Sequence, residues 1–338
     1  MRRMRNKCTV AFLCIALTLA NALPASACSF FFFRSTNGEI FTGRTQEYPG
    51  LMNGIMAIVP RDHDFGKYQT KFGFIGLDHP GKPYDGSQFY DGMNEYGLQV
   101  SVLGHGDAKP LPLGEGEIGM LDVCGFLLGN ASSTDEAVEL LKNTTVGLDV
   151  IKSVPHVESG FHYAISDKTK SVVIEYITGD GKPTVYENKF GVMTNDPDYP
   201  EHVKLTEDLL VDFEIPETDF LPFDLSTTGR FQKLAALNST QEDRLVETNE
   251  LCVMRAWSMI NSVDIPMGSL YWRWAEKDMP QMTSYALVGD LANRVLYLRT
   301  FDNLDVRKVE IDEIDWDGVA FKHIEIFGTP NYRSIQID

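Results

Sequence analysis

Four consecutive phenylalanines, Phe30 to Phe33, begin two residues after Cys28 and dictate how this chain can start to fold. An unbroken run of bulky aromatics leaves no face for water, so it predicts a strand covered on both sides. Asn37-Gly38 follows as a hairpin signal. Glu39 to Gln46 reads as the return strand, and Tyr48-Pro49-Gly50 ends it, because Pro and Gly break a ladder.

Further strands are expected at Ile55–Val59, Leu98–Leu103, Phe161–Ser166, Ser171–Ile177, Pro183–Glu187, Phe190–Thr194, Ser284–Val288, Val295–Thr300 and Val306–Ile311, with a turn beginning at Asp91-Gly92. Helices are expected at Ser132–Lys142, His202–Asp212, Arg230–Leu237 and Thr240–Ile260, the first with Ser133 and Glu136 as a capping box. Strand clusters flanking grouped helices predict a layered α+β domain rather than a βαβ repeat. No Pro/Gly linker, low-complexity tract or internal repeat divides residues 28–338, and a chain of that size can bury roughly three quarters of its unfolded surface. One large domain over 28–338 is therefore expected.

Residues 1–27 read as a secretory signal. Arg2, Arg3, Arg5 and Lys7 form the basic start, Val10 to Ala20 the apolar stretch, and Ala25-Ser26-Ala27 the A-x-A cleavage end. The apolar stretch is shorter than the roughly 20 residues of a spanning helix, so no stable membrane span is expected. An exported protein, periplasmic or secreted, is implied. Small residues before a cysteine also resemble a lipoprotein signal. Such signals usually place Leu three residues before the cysteine, where this chain has Ala25.

The formal charge is −18, and loss of the four leader cations makes it more negative. That argues against nucleic acid and anionic membrane as partners, since both reward clustered Lys and Arg. Cys28, Cys124 and Cys252 lie beyond the leader, an odd number that leaves at least one thiol unpaired. Cys124 and Cys252 sit in apolar runs and read as small buried hydrophobes, with a Cys124–Cys252 disulfide left open. The seven histidines are scattered with no metal-ligand spacing, and no nucleotide-binding loop is present, so neither a metal nor a cofactor is expected. Tyr271-Trp272-Arg273-Trp274 fits packed core or interface, or the lining of a substrate groove.

Cleavage after Ala27 would make Cys28 the first residue. Its thiol, with a usual pKa near 8.5, would stand beside an α-amine of about 7.7 to 8.0. That amine can take the thiol proton directly or through one water, and the thiolate can attack an amide carbonyl. An N-terminal cysteine therefore needs no histidine partner and points to amide hydrolysis.

Several segments, in order along the chain, resemble the choloylglycine hydrolase and penicillin V acylase family of N-terminal-nucleophile linear amide hydrolases. They are Cys28, Gly43-Arg44-Thr45-Gln46-Glu47-Tyr48, Asp91-Gly92-Met93-Asn94-Glu95-Tyr96-Gly97-Leu98, the paired strands of Phe161 to Tyr176, Met193-Thr194-Asn195-Asp196-Pro197 and Gly229-Arg230-Phe231. The resemblance implies a four-layer αββα sandwich, a small-molecule N-acyl amide substrate, no cofactor and a homo-oligomer, a homotetramer in the family pattern. It implies Cys28 as nucleophile, with Arg44 favouring its thiolate and Arg230 completing the charged network. Outside the family, Arg44 reads as an ordinary ion-pairing strand residue and Arg230 as a first-turn arginine on a solvated helix.

Glu47 would hold the α-amine, although the family usually has aspartate there. Arg44 and Glu47 are three apart and point to opposite faces of a regular strand, so a bend is expected near Glu47. Asn195 would donate to the oxyanion; its alternative is a turn residue before Asp196-Pro197. The family's second oxyanion side chain falls at Gly104, beside His105, where only a backbone N–H can serve. The export signal and this missing side chain favour the penicillin-acylase-like branch over the bile-salt branch. A lipid-anchored binding protein with a decayed site, and an acyl transferase on the same scaffold, are the competing readings.

Overall fold

The Phe30–Phe33 run forms the first strand of a computed structural model that describes residues 27–49, 54–78, 88–151, 158–211, 213, 222–274, 277–330, 332 and 334–337. The leader and its cleavage reading lie outside the described residues, except for Ala27. In chain order the longer strands, with one short edge strand, are β1 (Ser29–Arg34), β2 (Ile40–Pro49), β3 (Ile55–Val59), β4 (Phe74–Asp78), β5 (Phe89–Asn94), β6 (Gln99–Gly104), β7 (Phe161–Ser166), β8 (Ser171–Glu175), β9 (Thr184–Glu187), β10 (Val192–Met193), β11 (Leu270–Trp274), β12 (Lys277–Asp290), β13 (Val295–Thr300), β14 (Asn303–Glu310) and β15 (Lys322–Glu325). The helices are α1 (Val123–Asn130), α2 (Thr134–Asn143), α3 (Tyr199–Leu210), α4 (Thr227–Ser239) and α5 (Asn249–Asn261). None of the described helices is long and apolar enough to cross a membrane.

Two antiparallel sheets result. One runs β10-β1-β2-β12-β13-β14, with β11 also on β12; the other runs β9-β8-β7-β6-β5-β4-β3-β15. Between them Met56, Ile75 and Met93 meet Tyr285, Leu287 and Leu298. Outside the second sheet, Cys124, Leu127 and Leu141 of α1 and α2 cover Phe74, Phe89 and Tyr163. Phe231 of α4 and Cys252 and Ala256 of α5 pack with Phe30, Phe31 and Phe41 of the first sheet. The architecture is the αββα sandwich.

The opening hairpin follows the residues closely. β1 pairs with β2 from Ser29↔Thr45 to Arg34↔Ile40, and Gly38 takes the left-handed φ of +84° that its turn requires. Phe30 and Phe31 are fully buried. The Phe31 ring lies where a side chain at Gly43 would be, since a Cβ built there falls 2.1 Å from Phe31 Cζ.

Other expectations change. Asp91-Gly92 lies inside β5, and the chain turns instead at Asn94–Gly97, where the Asn94 side chain accepts from the amides of Tyr96 and Leu98. The apolar run around Cys124 is a helix. The helix expected from Thr240 starts at Asn249, after a short 3-10 turn at Asp243–Leu245, because Thr248 caps it by accepting from Leu251 N. The strand expected over Phe190–Thr194 shrinks to Val192–Met193. Ser133 caps α2, while Glu136 reaches back to Ser132 rather than Ser133. Cys28, Cys124 and Cys252 are buried, and none of them forms a disulfide among the described residues. Tyr271 is exposed on β11, and the side chains of 272–274 lie outside the described residues.

Candidate active site

Cys28 immediately precedes β1 and is 2% exposed. Its Sγ lies 3.6 Å from Gln46 Oε1 and 3.8 Å from the Glu47 carbonyl oxygen. In the described chain Ala27 still precedes it, so its nitrogen is a peptide amide.

Arg44 sits mid-strand on β2, between β1 and β12, opposite Phe30 and Leu287. Its side chain is fully buried and reaches the second sheet. Nε donates to Asp91 Oδ1 at 3.1 Å, and Nη2 donates to Val102 O at 2.7 Å and to Gln46 Oε1. Nη1 donates to Thr45 O. Burial works against the guanidinium charge, but Asp91 and Cys28 outweigh it and hold Arg44 above its already high pKa. Asp91 in turn accepts from Tyr285 Oη at 2.6 Å; burial raises its pKa against the pull of Arg44. Gln46 thus joins the arginine to the sulfur. The alternation of a strand signals this role, because residues two apart share a face.

Glu47 lies on the other side of β2. The irregularity expected near it occurs in the neighbouring strand: β12 pairs Thr283 with Glu47 and Tyr285 with Gln46, leaving Ser284 as an extra residue. Thr283 donates to Glu47 Oε1, and Thr45 donates to Oε2 at 3.2 Å. Burial pushes the Glu47 carboxyl up to about 7, against the opposing pull of Arg230.

Arg230 is not on a solvated surface. It lies in the second turn of α4, is 1% exposed, and its Nη1 donates to Cys28 O at 2.6 Å and Ser29 Oγ at 2.7 Å. Its Nη2 meets Asn195 Oδ1 at 3.3 Å. Burial lowers its pKa, opposed by Glu47 and Cys28.

Asn195 directly follows Thr194 after β10. Its Nδ2 donates to Gly104 O at 2.8 Å. With Oδ1 on Arg230 and one N–H on Gly104, the amide is fixed in one orientation and keeps a second N–H. His105 N donates to Gly160 O at 2.9 Å, so Gly104, opposite Phe161, is at a non-hydrogen-bonded position of the β6–β7 ladder. Its amide therefore turns away from β7, to the side where its carbonyl meets Asn195.

The histidines are less scattered than the sequence implies. His162 Nε2 lies 2.6 Å from Thr194 O, and His202 Nε2 lies 2.9 Å from Asn195 O. His105 stacks on His162 with centroids 4.7 Å apart and planes at 10°. Glu175 Oε1 lies 3.3 Å from His162 Nδ1. No sequence spacing links these residues; they come from β7, β8, α3 and the residue that follows β6. His105, His162 and Glu175 each offer a ligand atom within 4.8 Å of the others. An ion shared by two imidazoles lies in the plane of both rings, which this near-parallel stack does not allow.

The chain is similar in sequence and fold to several known proteins. The profile of the linear amide C-N hydrolases, choloylglycine hydrolase family, matches residues 28–322. The bile salt hydrolase/transferase of Lactiplantibacillus plantarum is 26% identical over 314 residues, covering 84% of this chain and 92% of that protein. The bile salt hydrolase/transferase of Clostridium perfringens is 24% identical over 327 residues, covering 87% and 95%. Among solved structures, a point variant of conjugated bile acid hydrolase from Clostridium perfringens superposes with TM-score 0.76 at 22% identity, over 91% of this chain and all of that one. Penicillin V acylase from Agrobacterium tumefaciens superposes with TM-score 0.67 at 20% identity, over 88% and 91%. The chain belongs to the choloylglycine hydrolase family of linear amide C-N hydrolases.

Proposed function

We propose that this protein is an exported hydrolase of linear, non-peptide amides that uses Cys28 as an N-terminal nucleophile. The observation that carries the reading is the bonded network around Cys28. Arg44 reaches the sulfur through Gln46, and Arg230 ties the Cys28 carbonyl to Asn195.

Removal of residues 1–27 frees the α-amine, which takes the thiol proton directly or through one water. Glu47 holds that amine. The fixed charge of Arg44 favours the thiolate. Sγ attacks the amide carbon, and the second N–H of Asn195, with the Gly104 amide, receives the developing oxyanion. The C–N bond breaks as the ammonium returns the proton to the leaving nitrogen. Water then hydrolyses the thioester. The substrate pairs an apolar or aromatic acyl group with a small polar amine. The expected leader and the absence of a second oxyanion side chain favour a penicillin V acylase-like preference over a bile-salt one.

Two relatives named hydrolase/transferase support a second outcome for the same thioester, capture by an amine instead of water. The test is intact mass of the exported protein with and without a thiol alkylator, followed by hydrolysis of phenoxyacetyl penicillin and glycine-conjugated bile salts with and without added amine. The expected mass starts at Cys28 and gains one alkyl group as activity disappears. A start at Ser29, a lipid adduct on Cys28, or full activity after alkylation would sink the mechanism.

A further inference from the structure

We propose that His162 and His202 are positioning residues that set the geometry of Asn195 by holding the carbonyls of Thr194 and Asn195. The inference rests on the oxyanion role assigned to Asn195.

Both contacts require a ring N–H, since a carbonyl oxygen only accepts. His162 Nε2 meets Thr194 O at 2.6 Å and His202 Nε2 meets Asn195 O at 2.9 Å, so each ring carries its proton on Nε2. These donors clamp the residue before Asn195 and Asn195 itself, while Arg230 and Gly104 fix its side chain. His162 and His202 are each 1% exposed. Burial lowers both imidazole pKa values to about 4, so the rings stay neutral at physiological pH.

A neutral His162 with Nε2–H presents a lone pair at Nδ1. That lone pair faces Glu175 Oε1 at 3.3 Å, and the same oxygen accepts from Tyr199 N at 2.8 Å. Two acceptors at that separation need a shared proton. It lies on Glu175, so the His162 ring stays neutral and its Nε2–H faces Thr194. Burial first, with Asp198 and Asp196 adding to it, raises Glu175 to about 7 against His105 and the Tyr199 amide. The other groups facing the pair are Tyr186 from β9, His202 from α3 and Arg44 from β2. Loss of the shared proton draws the His162 proton to Nδ1, toward the carboxylate, and strips Thr194 O of its donor. Turnover should then fall as pH rises through the Glu175 pKa.

The experiment compares His162→Leu, His162→Gln, His202→Gln and Glu175→Gln. Glutamine places an amide N–H near the Nε2 position of histidine, and Glu175→Gln supplies a permanent donor to Nδ1. His162→Leu should lower kcat about 100-fold, the scale of a misplaced catalytic group, with KM and the Cys28 alkylation rate nearly unchanged. His162→Gln and His202→Gln should recover most of that loss. Glu175→Gln should keep activity and remove the alkaline fall. Parallel loss of kcat, alkylation and melting temperature, or wild-type kcat in His162→Leu, overturns the proposal. If the leucine variant does not fold, imidazole 15N spectra of the Cys28→Ala protein decide it. Nε2–H tautomers at positions 162 and 202 are expected, and an Nδ1–H tautomer at either refutes the clamp. Those spectra need no turnover, so they separate failure of this inference from failure of the Cys28 mechanism.

Discussion

Arg44 and Asn195 both serve the network around Cys28, but different chemistry holds them. Arg44 lies inside a regular strand, and its partners are a charge and a neighbour on the same strand face: Asp91 and Gln46. Asn195 follows a two-residue strand, and neutral donors from separate elements hold its backbone. The first arrangement supplies a fixed charge at a position the ladder determines. The second supplies an aimed dipole, and its accuracy depends on side chains that arrive only when the whole sandwich has assembled. A charge acts over several ångströms and tolerates small shifts, whereas an oxyanion donor does not.

The largest effect should come from what both arms serve. Cys28→Ala should reduce turnover by at least about 10³-fold, as for other covalent nucleophiles, and Cys28→Ser should reduce it sharply while leaving residual hydrolysis. Undiminished activity in the alanine variant would falsify the mechanism outright.

Breaking the charged arm should show in stability. Arg44→Met leaves Asp91 buried without its cation, so unfolding in urea should lose about 3–5 kcal/mol. Breaking the dipolar arm should show in rate. Asn195→Ala should cost about 10²–10³ in kcat with a small change in urea midpoint. Equal stability losses in the two variants would erase the distinction between the arms. Gly43→Ala, which touches neither arm directly, should cost about 1–3 kcal/mol by displacing the Phe31 ring from beneath β2.

The same contrast explains what the sequence made legible. The Phe30–Phe33 strand, its Asn37-Gly38 turn and the Arg44 strand are local patterns, and the structure keeps them. Gln46 was readable in principle from its two-residue spacing to Arg44. Asp91 looked like a turn residue because Asp-Gly usually is one; burial between the sheets and the Arg44 ion pair overrode that preference. The histidine clamp had no local signal. His105, His162 and His202 lie tens of residues apart, and only the pairing of β6 with β7, and the packing of α3 beside them, brings them together. The motif singles out Arg230, yet its burial depends on α4 lying over β1, which no helical pattern states.

Glu47 offers the smallest and most diagnostic effect, because it stands between the arms. With Ala27 attached, burial holds its carboxyl at about 7, above an unfolded value near 4.5. A raised carboxyl pKa means the folded state keeps a proton that the unfolded chain has released. Stability should therefore fall as pH rises from about 4.5 to 7, by up to about 3 kcal/mol from this group. If Glu47 holds the freed amine, cleavage puts a cation beside it and lowers its pKa, so the fall should shrink in the mature protein. The comparison needs two Cys28→Ala proteins, one starting at residue 28 and one retaining Ala27, melted from pH 4.5 to 8. Glu47→Gln in each should flatten the profile of the longer form more than that of the shorter. Identical profiles for the two parents would separate Glu47 from the amine and leave it as a buried acid bonded to Thr283 and Thr45.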